Sequence, residues 1–374
     1  MNKKLGIGIV GCGNISSYYI KMLPFFKGVE VKACSDIDIH AANNCASEFG
    51  IRAEKISELL KADDIDIIVN LTVPKAHYSV SKQILEAGKH VYSEKPFVLS
   101  LQEGKDLIEI AKSKKCRIGS SPDTFLGGAH QLARSLVDSN VIGKVSSGTC
   151  FIQSSGMEMW HPNPDFFYQP GGGPILDLGP YYITNLVQLL GPVKRVGSMS
   201  SSAHKYRTIT SEERYGEKIK VETPTTIHSI IEFISGAQFT FVSSWDVWHH
   251  SHSHMELYGI DGTIYIPDPN FFGGEVRITN KSSHANISKD WEHPFSTINA
   301  EDDQADYRSL GLAEMANSII QNKNHRCSAE LALHVVDIMT SILQSGDEGV
   351  FINLETTCFR PEPLGVDEAE TLLA

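Results

Sequence analysis

Two glycines one residue apart, in the run Gly11-Cys12-Gly13-Asn14-Ile15-Ser16, are the first place where this sequence offers chemistry. They follow an apolar stretch with strand character, residues 5–10, and a helical pattern opens directly after them. Strand, glycine turn and helix in that order bring backbone N–H groups and the positive end of a helix dipole to one point, which suits a phosphate. Gly11 allows the tight turn, and Gly13 lets a pyrophosphate approach the backbone. Asn14 and Ile15 complete the turn, and Ser16 puts another small residue where the pattern has its third glycine. Asp36 ends the second strand-like run, 20 residues past Ser16. A carboxylate there accepts hydrogen bonds from a ribose 2′-OH and repels a 2′-phosphate, so NAD is the expected cofactor and NADP the less favoured one. Asp36 alone could as well cap a helix; the ordered set carries the dinucleotide reading.

A second group of candidates lies between Glu158 and Tyr168, where Trp160, His161, Asn163, Asp165, Phe166 and Phe167 stand among prolines. Aromatic faces can stack on a sugar ring, while His161, Asn163 and Asp165 can bind hydroxyls. Such aromatics can equally pin a long loop to the body of the protein. Asp123, following Pro122, is a further candidate of the same kind. The run from His249 to His254 contains His250, His252 and His254, which would share one face of a strand. With no Cys or carboxylate at a familiar ligand spacing, a polar sheet face or a subunit contact is the expectation, and no metal.

The elements that must position these residues fall into two rhythms. Up to about residue 120, short apolar runs at 5–10, 29–35, 67–71, 90–93 and 117–120 alternate with helical patterns at 56–61, 77–87 and 101–114. That is the rhythm of a parallel sheet with crossover helices, its strands buried on both faces. Beyond Pro122, helical patterns at 131–138 and 178–190 flank the aromatic loop. Strand-like runs then follow one another at 226–234, 238–245 and 255–266, as in a mostly antiparallel sheet. Helical patterns at 305–321 and 329–344 precede an irregular tail. The expected domains are residues 1–122, α/β, and 123–374, α+β.

Composition narrows the function classes. The 374 residues, 41% of them hydrophobic, suffice for two ordinary cores. A formal charge of −12 opposes binding to nucleic acid or anionic lipid. Seven scattered cysteines without a C-x-x-C pair fit neither a disulfide framework nor a zinc site and suit a reducing compartment. No stretch approaches the ~18 apolar residues of a membrane span. The apolar run after Lys4 is too short for a signal peptide, so a cytoplasmic protein is expected.

Three more motifs bear on function: Asn70-Leu71-Thr72-Val73-Pro74 with His77, Glu94-Lys95-Pro96 after a strand, and Gly171-Gly172-Gly173-Pro174-Ile175-Leu176-Asp177-Leu178-Gly179. Together with the glycine turn, they make the chain resemble the glucose–fructose oxidoreductase, inositol dehydrogenase and MocA (Gfo/Idh/MocA) family over nearly its whole length. The resemblance implies a Rossmann domain followed by a domain with a large, open-faced sheet, the nicotinamide being held between them. It implies that Thr72, Pro74, His77, Glu94 and Lys95 border the cofactor, and that members associate as dimers or tetramers. Lys95 is then the catalytic lysine, often followed by a cis proline, and Asp177 a substrate-binding or proton-relay carboxylate; by itself Asp177 could be a helix cap. The implied substrate is a sugar, sugar derivative or inositol, oxidised or reduced at a ring carbon. Four residues past the aspartate the family's histidine is replaced by Tyr181, which leaves Tyr181, His161 and Lys95 as alternative proton acceptors. Redox-neutral glycoside cleavage through transient oxidation, and a non-catalytic NAD sensor, are the competing readings.

Overall fold

The structure, a computed structural model, describes residues 4–281, 283–289, 291–300 and 304–374. It divides into two compact units. The first comprises Met1–Gly128, Glu292–Val336 and Pro361–Ala374; the second comprises Ala129–Trp291 and Asp337–Arg360.

The first unit is built on six parallel strands: β1 Leu5–Val10, β2 Val29–Ser35, β3 Arg52–Ala53, β4 Ile67–Asn70, β5 His90–Ser93 and β6 Ile118–Ser120. Their order, β3-β2-β1-β4-β5-β6, is that of a doubly wound dinucleotide-binding sheet. Every residue of β1 and β4 is buried, which is why these strands read as continuous apolar runs. In register, Val10 lies beside Asn70, so the turns after β1 and β4 leave the sheet together. Strand order reverses at this β1–β4 pair, the position where open α/β sheets place ligands.

Helices Asn14–Met22, Ile39–Phe49, Pro74–Glu86 and Leu101–Lys114 alternate with the strands. The second of these was not legible in the sequence, although Asp38 caps it by accepting the His40 amide at 2.9 Å. Residues beyond 122 also join this unit. The edge strand β6 is covered where Ser120 donates to Cys327 O at 3.0 Å and His325 Nε2 meets Ile118 O at 2.9 Å. Pairing of this kind protects an otherwise open sheet edge, and it draws 292–336 to a unit expected to end at 122. The tail read as irregular contains helix Val366–Leu372, tied back by the bond from Lys27 N to Leu372 O at 2.8 Å.

The second unit carries a nine-stranded sheet. Its strands are β7 Val145–Gln153, β8 Val193–Ser201, β11 Thr226–Phe233, β12 Gln238–Ser244, β13 Met255–Gly259, β14 Gly262–Ile266, β15 Val276–Asn280, β16 Ser283–Lys289 and β17 Ile352–Asn353; β9 Tyr206–Thr208 and β10 Lys218–Lys220 form a separate hairpin. The order is β16-β15-β14-β13-β7-β12-β11-β8-β17. β7 and β12 run parallel, and the other neighbours are antiparallel. The stretch expected as a single strand at 255–266 is the β13–β14 hairpin. Ile227, Ile231 and Phe233 of β11 are buried while His228 and Ile230 between them are exposed, so one face of the sheet is covered and the other open. Helix Gly179–Leu190 is buried along nearly its whole length, and Asn185 on it reaches Met255 Sδ of β13.

Candidate active site

The residues expected to hold a cofactor gather at the ends of β1, β2, β4 and β5. Gly11 has φ +99°, and a Cβ there would lie 2.6 Å from Leu71 O, so only glycine fits between these turns. Gly13 differs: its φ is −79°, and a Cβ would meet nothing within 4 Å. The space over Gly13 is therefore open to a ligand, at the N-terminus of a helix with no acidic residue in its first turn. Asn14 is exposed there and Ile15 half-buried. Ser16 is buried and donates from Oγ to Gly13 O at 2.7 Å, which fixes the turn from below.

Asp36 is held by two backbone amides. Its Oδ2 accepts from Cys12 N at 2.7 Å and its Oδ1 from Asp38 N at 2.8 Å. It thus braces the glycine turn and is no helix cap, that role falling to Asp38. Ile37 beside it and Val73 after β4 are exposed apolar residues that can offer faces to a flat ring, and the sequence reading did not single them out for this.

The turns after β4 and β5 are fixed by buried polar residues. Asn70 Oδ1 accepts from Thr72 Oγ1 at 2.6 Å, and its Nδ2 donates to His77 O and Ser81 Oγ, both at 3.0 Å. His77 is buried, its Nε2 2.9 Å from Thr72 O and its Nδ1 2.7 Å from Pro96 O. The family resemblance implies that His77 borders the cofactor. Both ring nitrogens face backbone carbonyls, so His77 ties the two turns to each other. Pro74 is exposed at the first position of its helix, where a missing N–H costs nothing. Glu94 accepts from Lys95 N and from Tyr19 OH, each at 2.8 Å, and Tyr19 OH also meets Ser121 Oγ at 2.7 Å. Burial, reinforced by the charges of Glu94 and Asp123, holds the Tyr19 phenol well above its ordinary pKa, so it stays a proton donor to Glu94. Lys95 is half-buried, and the Lys95–Pro96 peptide is cis.

Asp123 does not join this group. Its Oδ2 accepts from Ser309 N at 3.1 Å and Gly311 N at 2.9 Å, at the start of helix Leu310–Gln321. It is a buried helix anchor whose pKa burial raises to about 6, and it replaces the expected substrate contact. The same bonds explain why that helix begins at Leu310 and not near 305.

In the second unit, the aromatic loop divides into an anchored part and an open part. Tyr168 and Trp245 are fully buried with ring centroids 5.5 Å apart, and Phe167 meets Trp245 edge-on at 5.8 Å. Beside them Arg207, absent from the sequence candidates, binds Glu158 Oε1 at 2.7 Å, Trp245 O at 2.7 Å, Ser155 O at 3.0 Å and the Asp246 carboxylate. Trp160 and Phe166 remain exposed, with the His161 ring edge-on to both at 5.3 and 5.5 Å. His161 Nδ1 accepts from Asn163 N at 3.0 Å. Asp165 pairs with Arg214, which holds its carboxyl below the usual range, so it is engaged with a cation in place of a hydroxyl.

Asp177 is half-buried and ends the one-turn helix Pro174–Asp177, which starts after Gly173 at φ +98°. The next helix, Gly179–Leu190, has Leu178 at its cap position, so Asp177 is not an N-cap. Tyr181 lies in that helix's first turn and is largely buried. His250 and His252 fall in an irregular segment before β13, not on a strand, their rings stacked 6.0 Å apart. His252 also stacks on Phe151 at 4.0 Å, and His254 Nδ1 lies 2.9 Å from Tyr182 OH.

Residues 5–121 match an oxidoreductase family described by its NAD-binding Rossmann fold, and residues 130–265 match the Gfo/Idh/MocA C-terminal domain. The chain belongs to the Gfo/Idh/MocA oxidoreductase family. Over 273 residues this family member is 28% identical to a dTDP-3,4-didehydro-2,6-dideoxy-alpha-D-glucose 3-reductase of Saccharopolyspora spinosa, covering 71% of the chain and 75% of that protein. Levoglucosan dehydrogenase in complex with NADH and levoglucosan has a similar fold: TM-score 0.81 at 16% identity, over 95% of this chain and 100% of that one. An oxidoreductase from Desulfitobacterium hafniense described as NADPH-dependent has TM-score 0.77 at 19% identity, over 94% and 98%. At these identities the structural likeness speaks for the fold alone. Among the described residues, no helix is long and apolar enough to cross a membrane.

Proposed function

We propose that this oxidoreductase is an NAD(H)-dependent dehydrogenase or ketoreductase acting on a ring hydroxyl or ketone of a sugar, sugar derivative or inositol. The observation that carries the reading is the open space over Gly13, in a turn where Gly11 is packed against backbone. Asp36, held by two amides at the end of β2, supports NAD over NADP, because its carboxylate faces a ribose hydroxyl favourably and a 2′-phosphate unfavourably. The carbohydrate class is supported by the sugar reductase named above and by the exposed Trp160 and Phe166.

When bound, the nicotinamide supplies or accepts a hydride. On this proposal the Lys95 ammonium donates to the substrate oxygen and stabilises its alkoxide character, which is worth most where water is excluded. Glu94 fixes the Lys95 backbone by accepting its amide, and His77 ties the same turn to Thr72. Asp177 binds an adjacent hydroxyl or relays the proton. His161 is the poorest of the three proton acceptors, because its Nδ1 already accepts from Asn163 N. That leaves Tyr181, or Lys95 where it enters the oxidation as the neutral amine and becomes the ammonium on taking the proton. We also propose that the protein is a homodimer or homotetramer associating through the open sheet face, where Met199 is 79% exposed and lies opposite His228 in the sheet register.

The test is a cofactor-reduction assay with NAD or NADP against inositols, aldoses, sugar acids and glycosides, run beside Lys95→Ala. Reduction with one compound class, lost in the variant, is the expected result. Glycoside cleavage without accumulation of reduced cofactor would replace the proposal with redox-neutral hydrolysis. Full activity in Lys95→Ala would remove the assigned role of the lysine.

A further inference from the structure

The seven cysteines are scattered in sequence, but the fold gathers three of them. Cys12 comes from the glycine turn, Cys34 from β2 and Cys45 from helix Ile39–Phe49, and their sulfur atoms all lie within 4.8 Å of one another. Cys34 and Cys45 are buried, Cys12 is half-buried, and all three are free thiols. We propose that Cys12, Cys34 and Cys45 form a binding site for a soft, thiophilic metal ion of the zinc, copper(I) and cadmium class.

The geometry favours an ion over a disulfide. A metal–sulfur bond of ~2.3 Å puts the sulfurs of a trigonal or tetrahedral set about 4 Å apart. Sulfurs that all lie within 4.8 Å of one another are already near that spacing. A disulfide requires ~2.05 Å between two sulfurs and leaves the third thiol unused. The donor set contains sulfur only, which selects soft ions over magnesium or calcium. The present partners of the thiols are weak and replaceable: Cys12 Sγ lies 3.6 Å from Ser35 O and Cys34 Sγ 3.4 Å from Ala42 O. Asp36, bonded to Cys12 N, adds a negative charge beside the cluster that favours a cation. By motif spacing alone, these cysteines fit no zinc site. The three residues are 22 and 11 positions apart, and only the packing of the helix on β2 brings them together.

The experiment uses the full chain, reduced and kept anaerobic, titrated with Cd²⁺ while thiolate-to-metal charge-transfer absorbance and retained metal are measured. One equivalent bound with a charge-transfer band is expected. Cys45→Ser should weaken binding at least tenfold, as should Cys34→Ser, and the Cys116→Ser/Cys358→Ser double variant should bind like wild type. Absence of the band overturns the site, as does binding unchanged in Cys45→Ser or lost in the double variant. If Cys34→Ser does not fold, Cys45→Ser decides, read with its unfolding midpoint. The readout is independent of dinucleotide binding and of turnover, so it can fail without touching the proposed activity.

Discussion

The two glycines of the first turn should fail in opposite ways when changed to alanine. In Gly11→Ala the new Cβ meets backbone: Leu71 O at 2.6 Å, Leu71 C at 2.7 Å and Thr72 N at 2.9 Å, with φ at +99°. Backbone atoms of a neighbouring strand end cannot rotate away as a side chain would. The conformational penalty alone is of order 1–3 kcal/mol, and the clash adds to it, so a loss of about 3 kcal/mol or more of folding stability is expected. In Gly13→Ala the φ of −79° is ordinary and the Cβ enters open space. Loss of chain entropy in the unfolded state favours the alanine by roughly 0.4–1 kcal/mol, and its poorer capping offsets this by a similar amount. Stability should therefore stay within about 1 kcal/mol of wild type.

Binding should respond in the other sense. The space a Cβ takes at residue 13 is the space through which a pyrophosphate reaches the turn. Gly13→Ala should then weaken NAD at least tenfold, or ~1.4 kcal/mol. Denaturant unfolding and calorimetric titration with NAD separate the two quantities in the same preparations. Wild-type NAD affinity in a folded Gly13→Ala protein would refute the reasoning, because the opening over Gly13 would then not be where the cofactor sits. An unperturbed Gly11→Ala fold would refute the packing half of it.

Three further outcomes follow from the same geometry. Asp123, with a pKa raised to about 6 in the fold against ~3.9 unfolded, binds its proton more tightly when folded. Its contribution to stability is full below about pH 4 and falls as pH rises towards 6, by ~3 kcal/mol. Asp123→Asn should thus gain on wild type across that window in pH-dependent denaturation, and a constant difference would contradict the assignment. Arg207→Met leaves the buried Glu158 and the partly buried Asp246 carboxylates without their cation and should cost about 3–5 kcal/mol. It should also speed proteolysis within residues 154–174, and a smaller loss would show that the loop is held mainly by Tyr168 and Trp245. Asp36→Ser should shift the ratio of NADP to NAD affinity towards NADP by about tenfold, ~1.4 kcal/mol, even if both weaken; an unchanged ratio would remove Asp36 from the ribose site.

What the sequence made legible is what short-range chemistry dictates. Strand β1 stands where its apolar run does, because burial on both faces of a parallel sheet leaves no room for polar interruption, and β5 keeps its expected bounds with three of its four residues buried; β2 also keeps its bounds, although Glu30 on it is exposed. Helix Ile39–Phe49 escaped because its buried face is only the small residues Ala42, Cys45 and Ala46, and the exposed pair Asn43-Asn44 lowers the helix propensity of the run. The hairpin at 255–266 escaped because the Gly259-Ile260-Asp261-Gly262 turn carries an isoleucine that is exposed in the fold yet continues an apolar run in sequence.

The candidate site divides along the same line. Gly11, Gly13 and Asp36 have roles set by backbone geometry within one βαβ unit, and a fixed spacing reports such roles. The roles of Asp123 and the three cysteines are set by what the chain brings near them from a distance. Asp123 anchors amides 186 and 188 residues further along, and no local pattern distinguishes that carboxylate from one that binds a sugar. Arg207 is a surface-type residue by composition, yet it is buried because two carboxylates and two carbonyls from other segments converge on it. A buried charge needs partners, and where those partners are distant only the fold reveals them. The exposed Trp160 and Phe166 stand at the other extreme. Their neighbours Phe167 and Tyr168 are committed to Trp245, so the loop has already met its packing requirement, and two large apolar rings left in water on a rigid support are available to a ligand.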